Sequence, residues 1–225
     1  MKRILEVTLV VLKKHFPSVL ALSLALSATN ALAGKITDGS VPQDAEKVCP
    51  IKVGQNLPDV NVQDVNGKTI KLKDLVSKKP TVMIFYRGSW CPYCNVHLGE
   101  LKKMEGELEA LGYQIIAMSP DLPKNLKESQ SEHEMKYTLV SDSKAEASKA
   151  LGLAFEVDAD TYKKYLGYGI NLEKASGEKH HILPVPAALV LDQDGLVHFS
   201  FVSPNYKVRI NNDVLLSAAK AAVSK

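Results

Sequence analysis

The stretch TVMIFYRGSWCPYC, residues 81–94, carries two cysteines directly after a run of apolar and β-branched side chains. Thr81 to Tyr86 follows a proline and is continuous, which predicts a strand buried on both faces. Beyond Cys94, apolar residues recur every three or four positions and predict one buried face of a helix: Leu98, Leu101, Met104, Leu108 and Leu111. The two cysteines therefore lie where a buried strand passes into an amphipathic helix.

The start of a helix favours thiolate chemistry. Its first turn has backbone N–H groups without partners and the positive end of the helix dipole, so the pKa of a thiol at Cys91 is lowered. Pro92 suits the first helical position, where a missing N–H costs nothing. Cys94 follows within one turn, close enough to attack a mixed disulfide formed on Cys91. We predict a redox-active pair.

Other uses of a C-x-x-C pair fit the sequence less well. The chain has no second C-x-x-C and no His-x-x-His to complete a zinc site. Haem attachment requires a histidine after the second cysteine, where this chain has Asn95. A structural disulfide between such close residues closes almost no loop. We therefore predict neither a metal nor a cofactor.

The rest of the chain alternates strands with helices. Alternating apolar residues around Asn66-Gly67 predict a β-hairpin. Further strands are predicted over 113–118, 137–140, 187–191 and 196–202, and helices over 122–132, 143–151 and 213–223. This order is typical of an α/β sheet. We interpret residues 154–183 as an insertion, which either caps the active site or is an ordinary surface helix and loop.

Several segments carry a family resemblance. They are the hairpin region from Gly54 to Gly67, FYRGSWCPYC (85–94), Leu151-Gly152-Leu153, VPAALVLDQDG (185–195) and NYKVR (205–209). In this order they resemble the peroxiredoxin-like branch of the alkyl hydroperoxide reductase/thiol-specific antioxidant (AhpC/TSA) family, in the thioredoxin-fold superfamily. The resemblance implies a single domain over 54–225. Its α/β thioredoxin fold would have a central mixed sheet flanked by helices, an N-terminal β-hairpin and an insertion before a strand that follows a cis-proline.

Two alignments of the cysteines compete within this resemblance. In the thioredoxin alignment, Cys91 is the nucleophile and Cys94 the resolving cysteine. In the peroxiredoxin alignment, Cys94 is the peroxidatic cysteine, Cys91 replaces the threonine that holds the peroxide, and Pro186 takes the place of the activating arginine. Because two of the three peroxidase residues are then absent, we favour the thioredoxin alignment.

The thioredoxin alignment also assigns Pro186 to a cis-proline loop opposite the dithiol, where backbone groups pair with a bound peptide or partner. The alternative is an ordinary trans proline at the start of a strand. One departure from the thioredoxin pattern concerns proton transfer. Thioredoxins keep a buried acid beneath the dithiol, and this chain has Phe85 at that position.

Four further residues are candidates for supporting roles. Trp90 directly precedes Cys91. Arg87 either lowers the pKa of a cysteine or is a solvated loop residue. His97 either takes over proton transfer or, as we expect, lies on the surface. Cys49 either resolves a sulfenic acid on Cys94 or is buried, free or in an intermolecular disulfide.

Residues 1–33 predict an export signal. Lys13, Lys14 and His15 precede an apolar stretch, and Ala31-Leu32-Ala33 supplies the small residues of a cleavage site. The alternative is an uncleaved anchor, although the apolar stretch is short for a membrane span. We predict cleavage after Ala33, no stable membrane insertion afterwards, and a lead-in segment over 34–53. The protein would then reside in the periplasm or be secreted, in an oxidising environment.

The net charge of +3 belongs entirely to this export signal. The rest of the chain is neutral, so nucleic-acid binding has no electrostatic support. We predict an oxidoreductase that exchanges protein or small-molecule disulfides and depends on a thiol electron donor such as a thioredoxin-like reductase. The alternative is a thiol-dependent peroxidase with an antioxidant role. A remote third hypothesis is copper delivery, because thiolates with a histidine, His97 or the pair His180-His181, select Cu(I).

Overall fold

The computed structural model describes residues 41–223. The predicted export signal, its cleavage site and the first residues of the lead-in segment lie outside the described residues. Within the described range, no helix combines the length and the apolar character that a membrane crossing requires.

Strands and helices alternate along the described chain. The predicted elements are found with boundaries that differ by a few residues, whereas α1 is not predicted and begins at Leu72, a residue that the alternating pattern assigns to the hairpin. The strands are β1 (Asn61–Asp64), β2 (Thr69–Lys71), β3 (Thr81–Phe85), β4 (Gln114–Ser119), β5 (Thr138–Ser141), β6 (Ala154–Glu156), β7 (Ile182–Pro184), β8 (Ala187–Leu191) and β9 (Val197–Val202). The helices are α1 (Leu72–Val76), α2 (Pro92–Ala110), α3 (Pro123–Glu132), α4 (Glu146–Ala150), α5 (Ala159–Gly167), α6 (Leu172–Ser176) and α7 (Asn212–Val223).

Seven strands form one mixed sheet in the order β2-β1-β5-β4-β3-β8-β9. Every residue of β3 is buried, as its continuous apolar run predicts. This strand runs parallel to β4 and antiparallel to β8. Phe85 at the end of β3 pairs with Ala187 at the start of β8. The loop that carries the cysteines therefore leaves the sheet at the end where β8 begins, and the predicted mixed sheet flanked by helices is confirmed.

Alternate side chains of β3 face two separate cores. Val82 and Ile84 pack with α2 and α7, whereas Met83 and Phe85 pack with α1 and α4. The predicted apolar face of α2 is confirmed in the first core, where four of its side chains are buried: Leu98, Leu101, Met104 and Leu108. Each contributes about 1.5–3 kcal/mol relative to an exposed position. This packing anchors the helix whose first turn carries the cysteines.

The predicted hairpin is formed by β1 and β2. Val62 pairs with Ile70 across it, and β1 joins the main sheet through β5. At the turn, Asp64 Oδ1 accepts hydrogen bonds of 2.9 Å from the backbone N–H groups of Asn66 and Lys68. Gly67 has φ +83°, a conformation that favours glycine. The Asn-Gly signal in the sequence therefore has a direct physical basis.

The predicted insertion folds as a small unit. Its strands β6 and β7 pair antiparallel in a separate two-stranded sheet, with α5 and α6 between them. Val157, Leu172 and Leu183 form a core of their own, and Trp90 packs against it. The insertion is thus attached to the loop that carries the cysteines.

The described part of the lead-in segment, residues 41–53, packs along the domain. Val48 and Ile51 pack against the second core, and the Ile51 N–H donates to the Leu151 carbonyl at 2.9 Å. Gly152 lies so close to the carbonyl of Cys49 that an added Cβ would be 1.9 Å from that oxygen. The segment therefore fixes Cys49 next to the residues that follow α4.

The predicted cis bond before Pro186 is wrong, because the described residues contain no cis peptide bond. The Val185 N–H donates to the Leu153 carbonyl at 2.9 Å, and the Pro186 carbonyl accepts from the Ser203 N–H at 3.0 Å. These bonds carry the chain in extended form from β7 into β8. A trans bond is the ordinary form before proline, and the start of a strand accommodates it.

Candidate active site

Cys91 is the N-cap residue of α2, and Pro92 opens the helix. The Cys91 carbonyl accepts hydrogen bonds from the N–H groups of Cys94 at 3.0 Å and Asn95 at 3.1 Å. The predicted junction of buried strand and helix is therefore confirmed. It places Cys91 at the positive end of the helix dipole, where a thiolate is stabilised.

The two thiols are both unpaired and buried, and they differ in acidity. A hydrogen bond from the Cys94 thiol lowers the pKa of Cys91 to about 6, while burial opposes this shift and the guanidinium groups of Arg87 and Arg209 assist it. The same hydrogen bond, together with burial, raises the pKa of Cys94. At neutral pH the pair therefore consists of a thiolate on Cys91 and a thiol on Cys94.

Arg209 contacts Cys94 from the segment before α7. Its Nη2 donates to Cys94 Sγ at 3.2 Å. Its Nη1 donates to the carbonyls of Tyr206 and Val208, which fixes the guanidinium. Sequence reasoning missed Arg209 as a site residue, although it ends the NYKVR segment, because no local spacing signals a contact across 115 positions.

Arg87 is buried, with 4 % of its surface exposed. Its guanidinium carbon lies 5.0 Å from the ring centre of Trp90, 5.4 Å from that of Tyr165 and 4.5 Å from that of Tyr206. Its Nη2 also donates to the Tyr165 hydroxyl. Cation–π contacts of this kind contribute about 0.5–2 kcal/mol each. They hold the charge beside Cys91, which favours a role in lowering the cysteine pKa over that of a solvated loop residue.

Asp121 supports the loop between β3 and α2. Its Oδ2 accepts from the Ser89 N–H at 2.7 Å and from Ser119 Oγ at 3.0 Å. On the other side, Asn95 Nδ2 donates to the Ser89 carbonyl at 2.9 Å. Burial raises the pKa of Asp121 to about 6, although its hydrogen bonds oppose the shift. A buried acid is thus bonded to the loop even though Phe85 stands where the thioredoxin pattern places one.

Gly88 makes room for the only tryptophan of the chain. It has φ +148°, and an added Cβ would lie 2.3 Å from Trp90 Nε1. The Trp90 ring is tilted by 51° against the ring of Tyr165, with 6.0 Å between the ring centres. A glycine here therefore lets the indole pack between the loop and the insertion.

The expectation that His97 lies on the surface is wrong. Only 6 % of its surface is exposed, because it shares the inner face of α2 with Cys94, Leu98 and Leu101. Neither ring nitrogen has a hydrogen-bond partner. Burial, and next the charge of Arg209, lowers the pKa of His97 to about 4, so the imidazole is neutral at physiological pH. The spacing of three residues from Cys94 was the signal for this placement.

The structure brings most of the predicted site residues together around the start of α2: Arg87, Trp90, Cys91, Cys94 and His97. Pro186 precedes β8 at the end of the sheet where the cysteine loop begins. Cys49 is exposed and lies apart, next to Gly152 and the second core, on the other face of the sheet from Cys94.

His180 and His181 belong to the insertion, not to the dithiol. His180 Nε2 pairs with the Ser143 carbonyl at 2.8 Å, and His181 Nε2 pairs with Glu173 Oε1 at 2.9 Å. Over residues 41–223, no cluster of three or more His, Cys, Asp or Glu side chains is arranged to hold a metal ion.

The chain is similar to proteins of a known family. The model of the AhpC/TSA family matches residues 53–200. Peroxiredoxin Bcp of Escherichia coli is 24% identical over 76% of this chain and 97% of its own length. The thiol-disulfide oxidoreductase ResA of Bacillus anthracis is 26% identical over 68% of this chain and 70% of its own length.

Solved structures show the same fold. The crystal structure of reduced Prx3 from Vibrio vulnificus has a TM-score of 0.62 at 20% identity, and the match covers 76% of this chain and 99% of that one. A peroxidoxin BcpB from Mycobacterium tuberculosis has a TM-score of 0.58 at 18% identity, covering 76% of this chain and 97% of that one. At these identities the likeness concerns the fold alone.

Proposed function

Because this chain belongs to the AhpC/TSA family and is a thiol-dependent oxidoreductase of thioredoxin fold, we propose that it exchanges disulfides through Cys91 and Cys94. The observation that carries the proposal is the asymmetry of the two thiols. Cys91, at the start of α2, has a pKa lowered to about 6 by the hydrogen bond from Cys94. Cys94 has a raised pKa and stays protonated, and it lies in the first turn of the same helix.

The asymmetry sets the order of the steps. The Cys91 thiolate attacks one sulfur of a substrate disulfide, so a mixed disulfide forms and the other substrate sulfur leaves as a thiolate. Cys94 then loses its proton and attacks Cys91, which closes the Cys91–Cys94 disulfide and releases the second substrate thiol. Two electrons pass from the protein to the substrate. A thiol donor, such as a thioredoxin-like reductase, returns them.

A peroxidase reaction is the second candidate, favoured by the contact between Arg209 Nη2 and Cys94 Sγ. A guanidinium at this distance stabilises a thiolate on Cys94. That thiolate would attack the O–O bond of a peroxide, form a sulfenic acid and release water or an alcohol. Cys91 would then attack the sulfenic sulfur, with loss of water, to give the same disulfide. Cys49 is the other candidate for that step.

We place the reaction outside the cytoplasm, on the strength of residues 1–33. A basic start, an apolar stretch and Ala31-Leu32-Ala33 together support export and cleavage. In a bacterial host that expresses the full chain, the mature protein should begin at Gly34 and be recovered from the periplasm or the medium. Mass spectrometry of the fractionated protein checks this, and a full-length product in the cytoplasm would contradict it.

Stopped-flow fluorescence of Trp90 separates the two reactions, because the indole neighbours Cys91. The reduced protein is mixed with a disulfide or with hydrogen peroxide. Disulfide exchange predicts fast oxidation by the disulfide, loss of this phase in Cys91→Ser, and a trapped mixed disulfide in Cys94→Ser. Cys49→Ser serves as the control and should behave as the wild type. Fast oxidation by peroxide that survives in Cys91→Ser and disappears in Cys94→Ser would overturn the exchange proposal in favour of the peroxidase.

A further inference from the structure

A groove of about 540 Å³ opens beside the first turns of α2 and the segment that leads into α7. Tyr93, Val96 and Ile210 form its apolar part. The polar part includes His97, Lys207 and Arg209. The groove therefore borders the dithiol, because the Arg209 side chain that lines it also contacts Cys94 Sγ at 3.2 Å.

Three polar atoms of side chains that line this groove are buried without a hydrogen-bond partner. Neither nitrogen of the His97 ring has one, and neither does Nε of Arg209. A buried polar group left unpaired costs about 1–3 kcal/mol. Polar groups kept in this state at the edge of an open groove point to a ligand that pairs with them.

The charges in the groove indicate the chemistry of that ligand. Lys207 and Arg209 contribute two positive charges, and the one acid in the lining, Glu100, is paired with Lys103 at 2.6 Å. His97 is neutral at physiological pH. Such a lining favours a carboxylate over a cation, and the neutral imidazole supplies a further hydrogen bond.

The apolar part of the groove suits the body of a small molecule. Val96 is 68% exposed and Tyr93 is 44% exposed, so their side chains are open to contact. A volume of this size lies in the range of sites for small molecules. A compound of tripeptide size would reach from Lys207 to the start of α2.

We propose that this groove binds a small, carboxylate-bearing thiol compound, which serves as the disulfide substrate of Cys91 and Cys94. This inference rests on the proposed function and names its substrate class. The carboxylate pairs with Lys207 and Arg209, and the disulfide of the same molecule lies toward Cys91. Exchange then follows the two steps given above: the substrate disulfide takes up two electrons from the dithiol, the proton of Cys94 passes to one leaving sulfur, and water protonates the other.

Binding is tested without chemistry by a redox-inert probe, S-methylglutathione, which carries two carboxylates. The ring C–H signals of His97, assigned by their loss in His97→Gln, should shift on titration. The signals of His198, which pairs with Asp192 at 2.9 Å on β9, should not. Neutral 2-(methylthio)ethanol is the matched probe and should leave both unchanged. No shift of His97 with S-methylglutathione, or an equal shift with the neutral probe, would overturn the site.

Steady-state kinetics distinguish a failure of the groove proposal from a failure of the disulfide-exchange proposal. Glutathione disulfide and neutral bis(2-hydroxyethyl) disulfide are compared in the wild type, in Lys207→Gln and in Lys73→Gln, a control at an exposed lysine of α1. We expect Lys207→Gln to raise KM about fivefold for glutathione disulfide only, the range of one exposed ion pair. Equal KM effects on both disulfides, or none, would reject the groove proposal while disulfide exchange stands. Inactivity toward both would reject the exchange itself.

Discussion

Two distant parts of the chain line the surroundings of the dithiol, and each uses an arginine differently. The insertion (residues 154–183) is here called the insertion wall, and the segment before α7 that carries Arg209 is called the C-terminal wall. The insertion supplies Tyr165, whose hydroxyl accepts a hydrogen bond from Arg87 and whose ring packs against it, while the ring of Tyr206 contacts Arg87 as well. The segment before α7 supplies Arg209, which touches Cys94 Sγ directly at 3.2 Å. The insertion wall therefore positions Arg87, which belongs to the cysteine loop, whereas the C-terminal wall contributes Arg209 from its own segment.

This difference assigns the walls to different steps. Arg87 lowers the pKa of Cys91, the thiol that attacks, and acts more strongly on it than Arg209 does. Arg209 opposes the raised pKa of Cys94, the thiol that resolves. The insertion wall should therefore control the first step of exchange, and the C-terminal wall the second.

The largest combined effect, on reactivity and on stability, is expected when Arg87, the cation that Tyr165 holds, is removed. In the wild type, the rate of Cys91 alkylation should rise with pH through a midpoint near 6 and then level off, because only the thiolate form of Cys91 reacts. Arg87→Met removes a positive charge, so the pKa of Cys91 rises above its wild-type value of about 6. A rise of about one pKa unit would lower the thiolate fraction at pH 6, and with it the rate, about fivefold. Loss of the three ring contacts also lowers the free energy of unfolding by about 2–3 kcal/mol.

Iodoacetamide kinetics between pH 4 and 9 and urea unfolding measure these two quantities. The rate at pH 9 is the internal control, since the thiolate is then fully formed in both proteins. An unchanged midpoint in a folded Arg87→Met variant would show that the stacked cation has no influence on Cys91.

A change in the C-terminal wall should affect the second step instead. Arg209→Met removes the hydrogen bond to Cys94, and charge-assisted bonds of this kind contribute about 1.5–3 kcal/mol. The attack of Cys94 on the mixed disulfide should slow by about tenfold, so this intermediate accumulates. Quenched-flow mass spectrometry would detect it. Arg209→Lys keeps the charge and should recover part of the rate. If Arg209→Met slowed only the first step of exchange, the assignment of the two walls to different steps would be wrong.

The smallest effect is expected from one hydroxyl group. Tyr165→Phe keeps the ring against Arg87 but removes the acceptor of its hydrogen bond. We expect alkylation at pH 6 to fall about twofold and the free energy of unfolding to drop by about 0.5–1.5 kcal/mol. Tyr168→Phe, at a residue that is 78% exposed, is the matched control and should change neither quantity. Equal behaviour of the two variants would mean that the insertion does not position Arg87.

Local patterns predicted much of the fold, because local interactions determine those elements. The apolar run of β3, the spacing along α2 and the Asn66-Gly67 turn all act within a few residues. The burial of His97 was also within reach, since it lies one helical turn from Cys94 and Leu101. The expectation of a surface histidine failed because the residue type was given more weight than its position on the helix.

The remaining site residues depend on contacts that no local pattern encodes. Arg209 meets Cys94 across 115 positions, and Tyr165 meets Arg87 across 78. The cis form of Pro186 was inferred from resemblance, whereas hydrogen bonds to Leu153 and Ser203 carry the trans chain straight into β8. Tertiary packing thus determines the features that no local motif encodes.

The close approach of Gly88 to the Trp90 indole also has a consequence for how this sequence evolves. A side chain at position 88 would overlap the ring, which is held between Arg87 and Tyr165. The two positions therefore constrain each other: a substitution of Gly88 by alanine is tolerated only if Trp90 is replaced as well. Across descendants of this gene, glycine and tryptophan should be inherited as a pair, and that covariation is a signature by which the same loop architecture can be found in other genomes.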